Sequence, residues 1–149
     1  MPHFLIPISY LLLVLNKKSS KHMVEKAEFI PERCYWIIIK NKNYEVLAQD
    51  ENWSAFANIP NVDQDAINAK KGFMSLGASI ADITIVEDAS FEDLKSLFSG
   101  MQRKVIQNWA GQQKSLIFVY YAGHGIMDNT VFAVCNGGPR ASKYIYPLQ

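Results

Sequence analysis

Three short apolar runs, separated by two stretches with helical periodicity, limit what this chain can fold into. The runs are CYWIII at 34–39, IADITIV at 80–86 and SLIFVYY at 115–121, and each is rich in β-branched and aromatic residues. Continuous apolar runs of this length are typical of strands that are buried on both faces. The order strand, helix, strand, helix, strand predicts an α/β domain with a mostly parallel sheet, right-handed crossovers and helices on both faces.

The two helical stretches carry their own start and stop signals. Asn61 is a good N-cap, Gln64 can close a capping box, and Gly77 suits a left-handed cap at the carboxyl end. Ser90 is the expected cap of the second helix, with acidic residues in the first turn. The apolar stripe of that helix contains Phe91, Leu94, Phe98, Met101, Val105 and Trp109. A further short strand is expected at 131–135.

The first 33 residues differ in composition from the rest of the chain. Residues 4–15, FLIPISYLLLVL, are almost wholly apolar, and residues 17–26 are polar. The apolar run is shorter than the roughly 20 residues that span a bilayer. It also lacks the preceding basic residue and the cleavage site of a signal peptide. Three interpretations stay open: a gene-model artefact or loose tail, a signal or anchor, and a packed strand or helix. We treat residues 1–33 as a leader and linker, and residues 34–149 as the domain.

Composition and charge exclude several classes of protein. There are 15 Lys and Arg and 14 Asp and Glu, a net charge of +1, so no basic excess points to nucleic acid. Hydrophobic residues make up 49% of the chain and charged residues 19%, which argues against disorder. Cys34 and Cys135 are too few for a disulfide framework, and no Cys/His cluster suggests zinc. Free cysteines fit a reducing cytosol, so we expect a cytoplasmic protein and, the anchor alternative for the leader aside, no membrane partner.

One histidine stands where an α/β sheet places its chemistry. Ligands and catalytic groups gather beyond the carboxyl ends of parallel strands, and His124 lies three residues past the predicted end of the third strand. Gly123 and Gly125 flank it, which removes Cβ atoms that would shield the ring and allows a sharp turn. A structural histidine is the plainer alternative, but it does not need two flanking glycines. We therefore expect a functional role for His124.

The residues around His124 resemble a known motif. VYYAGHG at 119–125 is similar to the histidine motif of the caspase-fold peptidases, in particular metacaspases and paracaspases. Other segments are similar to that family in the same order and spacing: a first strand with its Asn-Tyr (35–44), a first helix with Asp65-Ala66 (59–77), and an Asp with an amphipathic helix (88–98). The resemblance covers about residues 34–135. It implies a three-layer caspase-like fold that is incomplete at its carboxyl end.

The resemblance implies a cysteine endopeptidase with a Cys-His dyad. His124 would take the proton from the thiol and give one to the leaving amine, and backbone N–H groups near Gly125 would hold the oxyanion. Asp65 matches an acidic residue of the primary specificity pocket in the branches that cleave after Arg or Lys. Residues 40–60 contain no Arg of the kind that aspartate-cleaving caspases place there, so a basic residue before the scissile bond is preferred. The alternative for Asp65 is a solvated or capping residue in the first turns of the helix.

The same resemblance places the nucleophile beyond residue 149. The family's cysteine lies about 50 residues after the histidine, whereas 25 residues follow His124. Cys135 is expected to be buried, with a raised pKa, and therefore inert, and Cys34 is expected to be a core residue. As it stands, the chain is expected to be inactive as a peptidase. It is also expected to leave the third strand, or the one beyond it, as an open apolar edge.

Three functions stay open. The first is the amino-terminal part of a caspase-like cysteine endopeptidase that acts on protein or peptide substrates. The second is a non-catalytic caspase-fold remnant that binds partners, or further copies of itself, through an exposed sheet edge. The third is an unrelated α/β ligand-binding domain, for which no glycine-rich nucleotide motif is present. No cofactor or metal site is expected; calcium, which some metacaspases bind, would depend on scattered carboxylates such as Asp88.

Overall fold

The computed structural model of the chain describes residues 6–14, 32–49, 51, 54–128, 130–136 and 145–147. The strands are β1 (Ile6–Val14), β2 (Arg33–Lys40), β3 (Ile83–Glu87), β4 (Ser115–Asp128), β5 (Thr130–Val134) and β6 (Ile145–Pro147). The helices are α1 (Val62–Ser75) and α2 (Phe91–Ala110), and single 3-10 turns occupy Leu47–Gln49 and Ile80–Asp82. The predicted mixed α/β class is confirmed.

One sheet contains the described strands. Its order is β3-β2-β4-β5-β6, and β1 pairs with β4 as well. The three main strands, β3, β2 and β4, run parallel to one another as predicted. The shorter strands β5 and β6 are added in antiparallel orientation. Part of the leader forms β1, which also pairs in antiparallel orientation. Of the three interpretations of the leader, a packed strand is therefore the one that holds for Ile6–Val14. Residues 1–5 and 15–31 lie outside the described residues.

The strand register shows which edge of β4 each partner takes. Residues 115–122 pair with β2 and residues 117–125 pair with β1, so these two strands lie on opposite edges. Gly125 pairs with β1 and with β5 as well. Strand β5 therefore lies on the β2 edge, just beyond the point where β2 ends. The other edge of β4, which was expected to be open, is covered by β1.

Two clusters of buried side chains share β2 between them. One contains Ile37, Ile39, Val119, Tyr121, Leu94 and Met101, the last two from α2. The other contains Trp36, Ile38, Ala66 and Phe73, the last two from α1, with Phe118 and Tyr120 packed against it. Successive residues of a strand point to opposite faces, so β2 supplies apolar side chains to both clusters in turn. This explains why its sequence is a continuous apolar run.

The start of α1 differs from the prediction in its capping. Asn61 precedes the helix as expected, but its side chain makes no capping bond, and Gln64 donates to Asn68 Oδ1 at 3.1 Å instead. Asn61 has a helical backbone, with φ −90° and ψ 0°, and not the extended one that a capping side chain needs. The predicted carboxyl-terminal cap is confirmed, since Gly77 has φ +102°.

Helix α2 begins as predicted and departs from the prediction at its last turn. Ser90 and Asp93 form a reciprocal capping box. The prediction of a core position for Trp109 is wrong, because this side chain is 54% exposed. Its neighbour Asn108 faces the sheet, where Nδ2 donates to Tyr35 Oη at 2.7 Å and Ser115 Oγ at 2.9 Å. Residue 108 therefore continues the side of α2 that faces the sheet. Adjacent residues of a helix lie about 100° apart around its axis, so Trp109 points outward.

Two strand boundaries also differ from the prediction. Strand β3 begins at Ile83, because Ile80–Asp82 form a 3-10 turn in which Ser79 Oγ donates to Asp82 Oδ2 at 2.7 Å. Strand β4 continues to Asp128, because β5 folds back and pairs with its last four residues. His124 therefore lies inside a strand. It is still two residues past Ala122, the last residue that pairs with β2.

A buried asparagine joins the ends of three strands. The side chain of Asn41 accepts from the Ala89 N–H at 2.8 Å and donates to the Val134 carbonyl at 3.0 Å. Its backbone N–H donates to the Ala122 carbonyl at 2.8 Å. Ala89 follows β3 and Val134 ends β5, so one side chain fixes the segments that surround the end of β2.

We expect Asn41→Ala to lower the free energy of unfolding by about 1–3 kcal/mol, because it leaves the buried Ala89 N–H unpaired and removes one of the hydrogen bonds to the Val134 carbonyl. Asn43→Ala is the matched control, since the described hydrogen bond of the exposed Asn43 side chain is the one it accepts from the nearby Glu45 N–H. The control should change stability by less than about 0.5 kcal/mol. Urea unfolding measures both, and equal losses would contradict this assignment.

Candidate active site

His124 is half-buried, and its ring contacts two aromatic rings. The imidazole centroid is 4.7 Å from that of Tyr44 and 5.1 Å from that of Phe56, which it meets edge-on. Nε2 lies 2.7 Å from the carbonyl oxygen of Ala57. A carbonyl oxygen can only accept, so Nε2 carries the proton of the neutral ring. Nδ1 then keeps its lone pair and is the nitrogen that can act as a base.

Two tyrosine hydroxyls hold the backbone of His124. The His124 N–H donates to Tyr44 Oη at 2.9 Å, and the His124 carbonyl accepts from Tyr121 Oη at 2.8 Å. Burial raises the pKa of Tyr44 to about 12 and the pKa of Tyr121 well above its usual value. Both hydroxyls therefore stay protonated at neutral pH, so the main chain on each side of the imidazole is fixed.

Gly123 is the residue over which these hydroxyls pack. A Cβ at this position would lie 2.5 Å from Tyr121 Oη and 2.7 Å from Tyr44 Oη. Protein interiors are close-packed, so no side chain fits at residue 123 without displacing both tyrosines. The sharp turn predicted around His124 is wrong, because the chain continues as strand β4. Glycine is required at residue 123 because the two tyrosine hydroxyls leave no room for a Cβ. This reason differs from the predicted one, which was that the glycine leaves the His124 ring unshielded.

Gly125 lies in the strand, and its backbone faces β1. The Ala122 carbonyl accepts from Asn41 and the His124 N–H donates to Tyr44, so both residues direct their backbone groups toward the β2 edge. Alternate residues of a strand direct these groups to opposite edges. The N–H groups of Gly123 and Gly125 are therefore directed at β1. The Gly125 N–H, expected to hold an oxyanion, is used by the sheet.

Asp65 lies in the first turn of α1 together with Asp63. Asp63 is paired, with Lys42 Nζ at 2.6 Å and Lys40 Nζ at 2.9 Å, and these lysines hold the pKa of Asp63 down at about 2. Asp65 has no ion pair or side-chain hydrogen bond among the described residues. Nor does a described contact join Asp65 to His124. The two residues are connected only indirectly in the described contacts. His124 binds the carbonyl of Ala57, and Ala57 lies four residues before Asn61, which directly precedes the helix that carries Asp65.

A charged rim that was not predicted from the sequence consists of Lys40, Lys42, Asp63 and Glu87. Lys40 Nζ bridges Asp63 and Glu87, with the latter at 2.8 Å. Asp88, at φ 45°, accepts from the N–H groups of Lys42 and Asn43 at 2.7 and 2.9 Å. A signal for this rim exists in the sequence, because lysines and acidic residues directly follow the apolar cores of two neighbouring strands.

No described contact joins either cysteine to the His124 ring. Cys135 is fully buried in the cluster that packs against α2, and burial raises its pKa to about 12, as expected for an inert thiol. The prediction of Cys34 as a core residue is wrong; it is exposed, because the buried part of β2 begins only at Trp36. Cys34 is opposite Leu116, eight residues before His124 on β4, which is about 26 Å along the strand.

Neither a cluster of metal ligands nor a membrane-spanning helix occurs among the described residues. Among them, no three His, Cys, Asp or Glu side chains come together as metal ligands. No helix in this part of the chain is long and apolar enough to cross a bilayer. No family model, curated protein or solved structure matches the chain.

We expect Gly123→Ala to lower the free energy of unfolding by about 2–3 kcal/mol, because the new methyl group collides with two fixed hydroxyls. Adding Tyr44→Phe removes one colliding atom and should recover part of the loss. Gly72→Ala is the control, since nothing lies within 4 Å of a Cβ there, and in a helix it should gain about 0.5–1 kcal/mol. Urea unfolding that places Gly123→Ala level with the wild type would refute the packing argument.

Proposed function

We propose that this chain supplies the base-bearing part of a caspase-like cysteine endopeptidase site, of the metacaspase or paracaspase type. The observation that carries the proposal is the hydrogen bond from His124 Nε2 to the Ala57 carbonyl, which in the neutral ring leaves the Nδ1 lone pair available at the carboxyl edge of parallel strands. A thiol within hydrogen-bond reach of Nδ1 would lose its proton to the ring. The imidazolium would then return a proton to the leaving amine.

A three-layer, caspase-like arrangement is part of this proposal. Alternate residues of β2 pack with α2 and with α1, as expected of a sheet between two helical layers. The order β3-β2-β4, with a helix in each crossover, is that of an open parallel sheet whose chemistry gathers at the carboxyl edge. Both features support the resemblance of residues 34–135.

The proposal requires a thiol that neither described cysteine supplies. Cys135 is buried on the side of α2, whereas His124 has the parity of Phe118 and Tyr120, which pack with the α1 cluster. Cys34 lies toward the other end of the sheet. A thiol on a further strand of the domain would have to lie beside β4 to reach Nδ1.

Charge at the site favours a peptide substrate with a basic residue before the scissile bond. Lys40 and Lys42 are both paired with carboxylates, so the charged rim offers little free positive charge to an acidic side chain. Asp65, by contrast, has no described ion pair. A Lys or Arg side chain would form a charge-assisted hydrogen bond with the Asp65 carboxylate, and an Asp side chain would be repelled.

A non-catalytic caspase-fold protein that binds partners is the second candidate. The observation that favours it is the outer strand β3, which pairs only with β2 among the described strands. Ile85 of this strand is 42% exposed, and Ile80 just before it is 60% exposed. An exposed apolar edge can add a strand from a second copy or from another protein.

Transcript sequencing and peptide hydrolysis test the peptidase proposal together. We expect the reading frame to continue past Gln149 and to encode a cysteine on an apolar strand about 50 residues after His124. The protein with that strand should cleave fluorogenic peptides with Arg or Lys before the scissile bond faster than matched Asp peptides. His124→Ala should lower kcat by at least about 100-fold. Asp65→Asn should raise KM for the Arg peptide, while the control Asp63→Asn should preserve the preference.

A message that stops at Gln149, or a protein that cleaves none of these peptides, would overturn the catalytic proposal. The binding function would then remain, and sedimentation would test it directly. Self-association of the wild type that Ile85→Lys abolishes would support a β3-edge interface, and a monomer in both cases would exclude pairing between copies.

A further inference from the structure

Strand β1 is the sole described occupant of one edge of β4. The opposite edge is filled by β2 up to Ala122 and then by β5 from Gly125 onward. Residues 117–125 on the β1 edge are paired from Ile6 opposite Gly125 to Val14 opposite Ile117. Removing β1 would therefore expose nine consecutive residues of the central strand, including the segment that carries His124.

The position of Pro7 explains the register of this pair. Pro7 lies opposite His124 and has no N–H to donate. His124 directs its own N–H and carbonyl to Tyr44 and Tyr121, so the missing donor costs no ladder hydrogen bond. A slip by one residue would set Pro7 opposite Gly123 or Gly125, whose backbone groups face β1, and a hydrogen bond would be lost.

The same register places β1 over the backbone groups beside the imidazole. Ile8 is opposite Gly123, and Ile6 is opposite Gly125. Both are hydrogen-bonded pairs, in which the two residues direct their N–H and carbonyl groups at each other. While β1 is paired, these glycine N–H groups cannot bind a substrate carbonyl or an oxyanion. No other strand can lie beside His124 on this edge either.

The chain between β1 and β2 is long enough for β1 to leave while β2 stays in place. Val14 lies opposite Ile117 and Arg33 opposite Ser115, so both strands reach the amino end of β4, on its two edges. Two strand spacings amount to about 10 Å. Residues 15–32 connect the two ends, and a chain of that length can span about 60 Å when extended.

We infer that β1 is a removable strand that masks the β4 edge at residues 117–125, and that its release uncovers the Gly123 and Gly125 N–H groups next to His124. The edge is then a docking site for an extended peptide that pairs as β1 does. If the protein is a peptidase, as proposed above, the pairing of β1 with β4 is autoinhibitory, whereas the masking of the edge does not depend on that function. Strand β1 would then regulate access to the site.

Hydrogen exchange in the full chain tests the masking without any assay of activity. Ile8→Pro removes a backbone N–H that faces Gly123. Ser9→Pro is its matched control, because the backbone N–H of residue 9, like the nitrogen of Pro7, points away from β4. We expect Ile8→Pro to speed exchange of the amides of Val119, Tyr121 and Gly123 at least tenfold, and Ser9→Pro to change it less than threefold. Amides of residues 37–39 should keep their protection in both variants. A synthetic peptide of residues 5–15 with a lysine tail should restore the protection in Ile8→Pro.

Three results would overturn the inference. Unchanged exchange in Ile8→Pro would show that β1 does not cover the edge. Equal acceleration in Ile8→Pro and Ser9→Pro would contradict the register with Pro7 opposite His124. Loss of protection at residues 37–39 as well would show that β1 is an integral part of the fold and cannot be removed. Each of these results can arise whether or not the protein proves to be a peptidase, so the two proposals fail separately.

Discussion

The packing of two buried tyrosine hydroxyls over a glycine is the interaction on which the site depends. Tyr44 reaches in from the loop after β2, and Tyr121 comes from β4 itself. Between them they bind both backbone groups of His124, and Tyr121 Oη also lies 3.0 Å from the carbonyl of Val134 on β5. Because neither hydroxyl ionises near neutral pH, the hydrogen bonds from Tyr44 and Tyr121 to the His124 backbone do not depend on tyrosine ionisation in that range. A side chain at residue 123 would break all of these contacts at once.

Electrostatics and burial divide the polar residues of the carboxyl edge between structure and chemistry. Asn41 and Asp88 bind backbone groups and fix the loop that carries Tyr44. Asp63 is neutralised by its lysines, so it contributes to the rim and not to ligand binding. Among the described residues, Asp65 makes no ion pair or side-chain hydrogen bond, and the described side-chain hydrogen bond of His124 uses Nε2.

The apolar runs of the sequence were sufficient to predict the three parallel strands, because burial on two faces leaves a continuous apolar pattern. The helices could be predicted from the helical spacing of their apolar residues and from their capping signals. The position of His124 near the strand ends could be predicted for the same reason. The length of β4 could not, since its extension depends on pairing with β5, which no local pattern reveals. The contact with Ala57 could not either, because a backbone carbonyl 67 residues away carries no side-chain signal. For the leader, strand formation depends on an edge that only the folded sheet provides.

The protonation state of the His124 ring decides whether Nδ1 can accept a proton from a thiol. Nitrogen-15 NMR of the uniformly labelled full chain at neutral pH distinguishes a protonated ring nitrogen from an unprotonated one. We predict the tautomer with the proton on Nε2, held by the Ala57 carbonyl, and an Nδ1 resonance typical of a free lone pair. A neutral ring with its proton on Nδ1 would refute the proposed site, because the nitrogen that faces a thiol would then be unable to accept its proton.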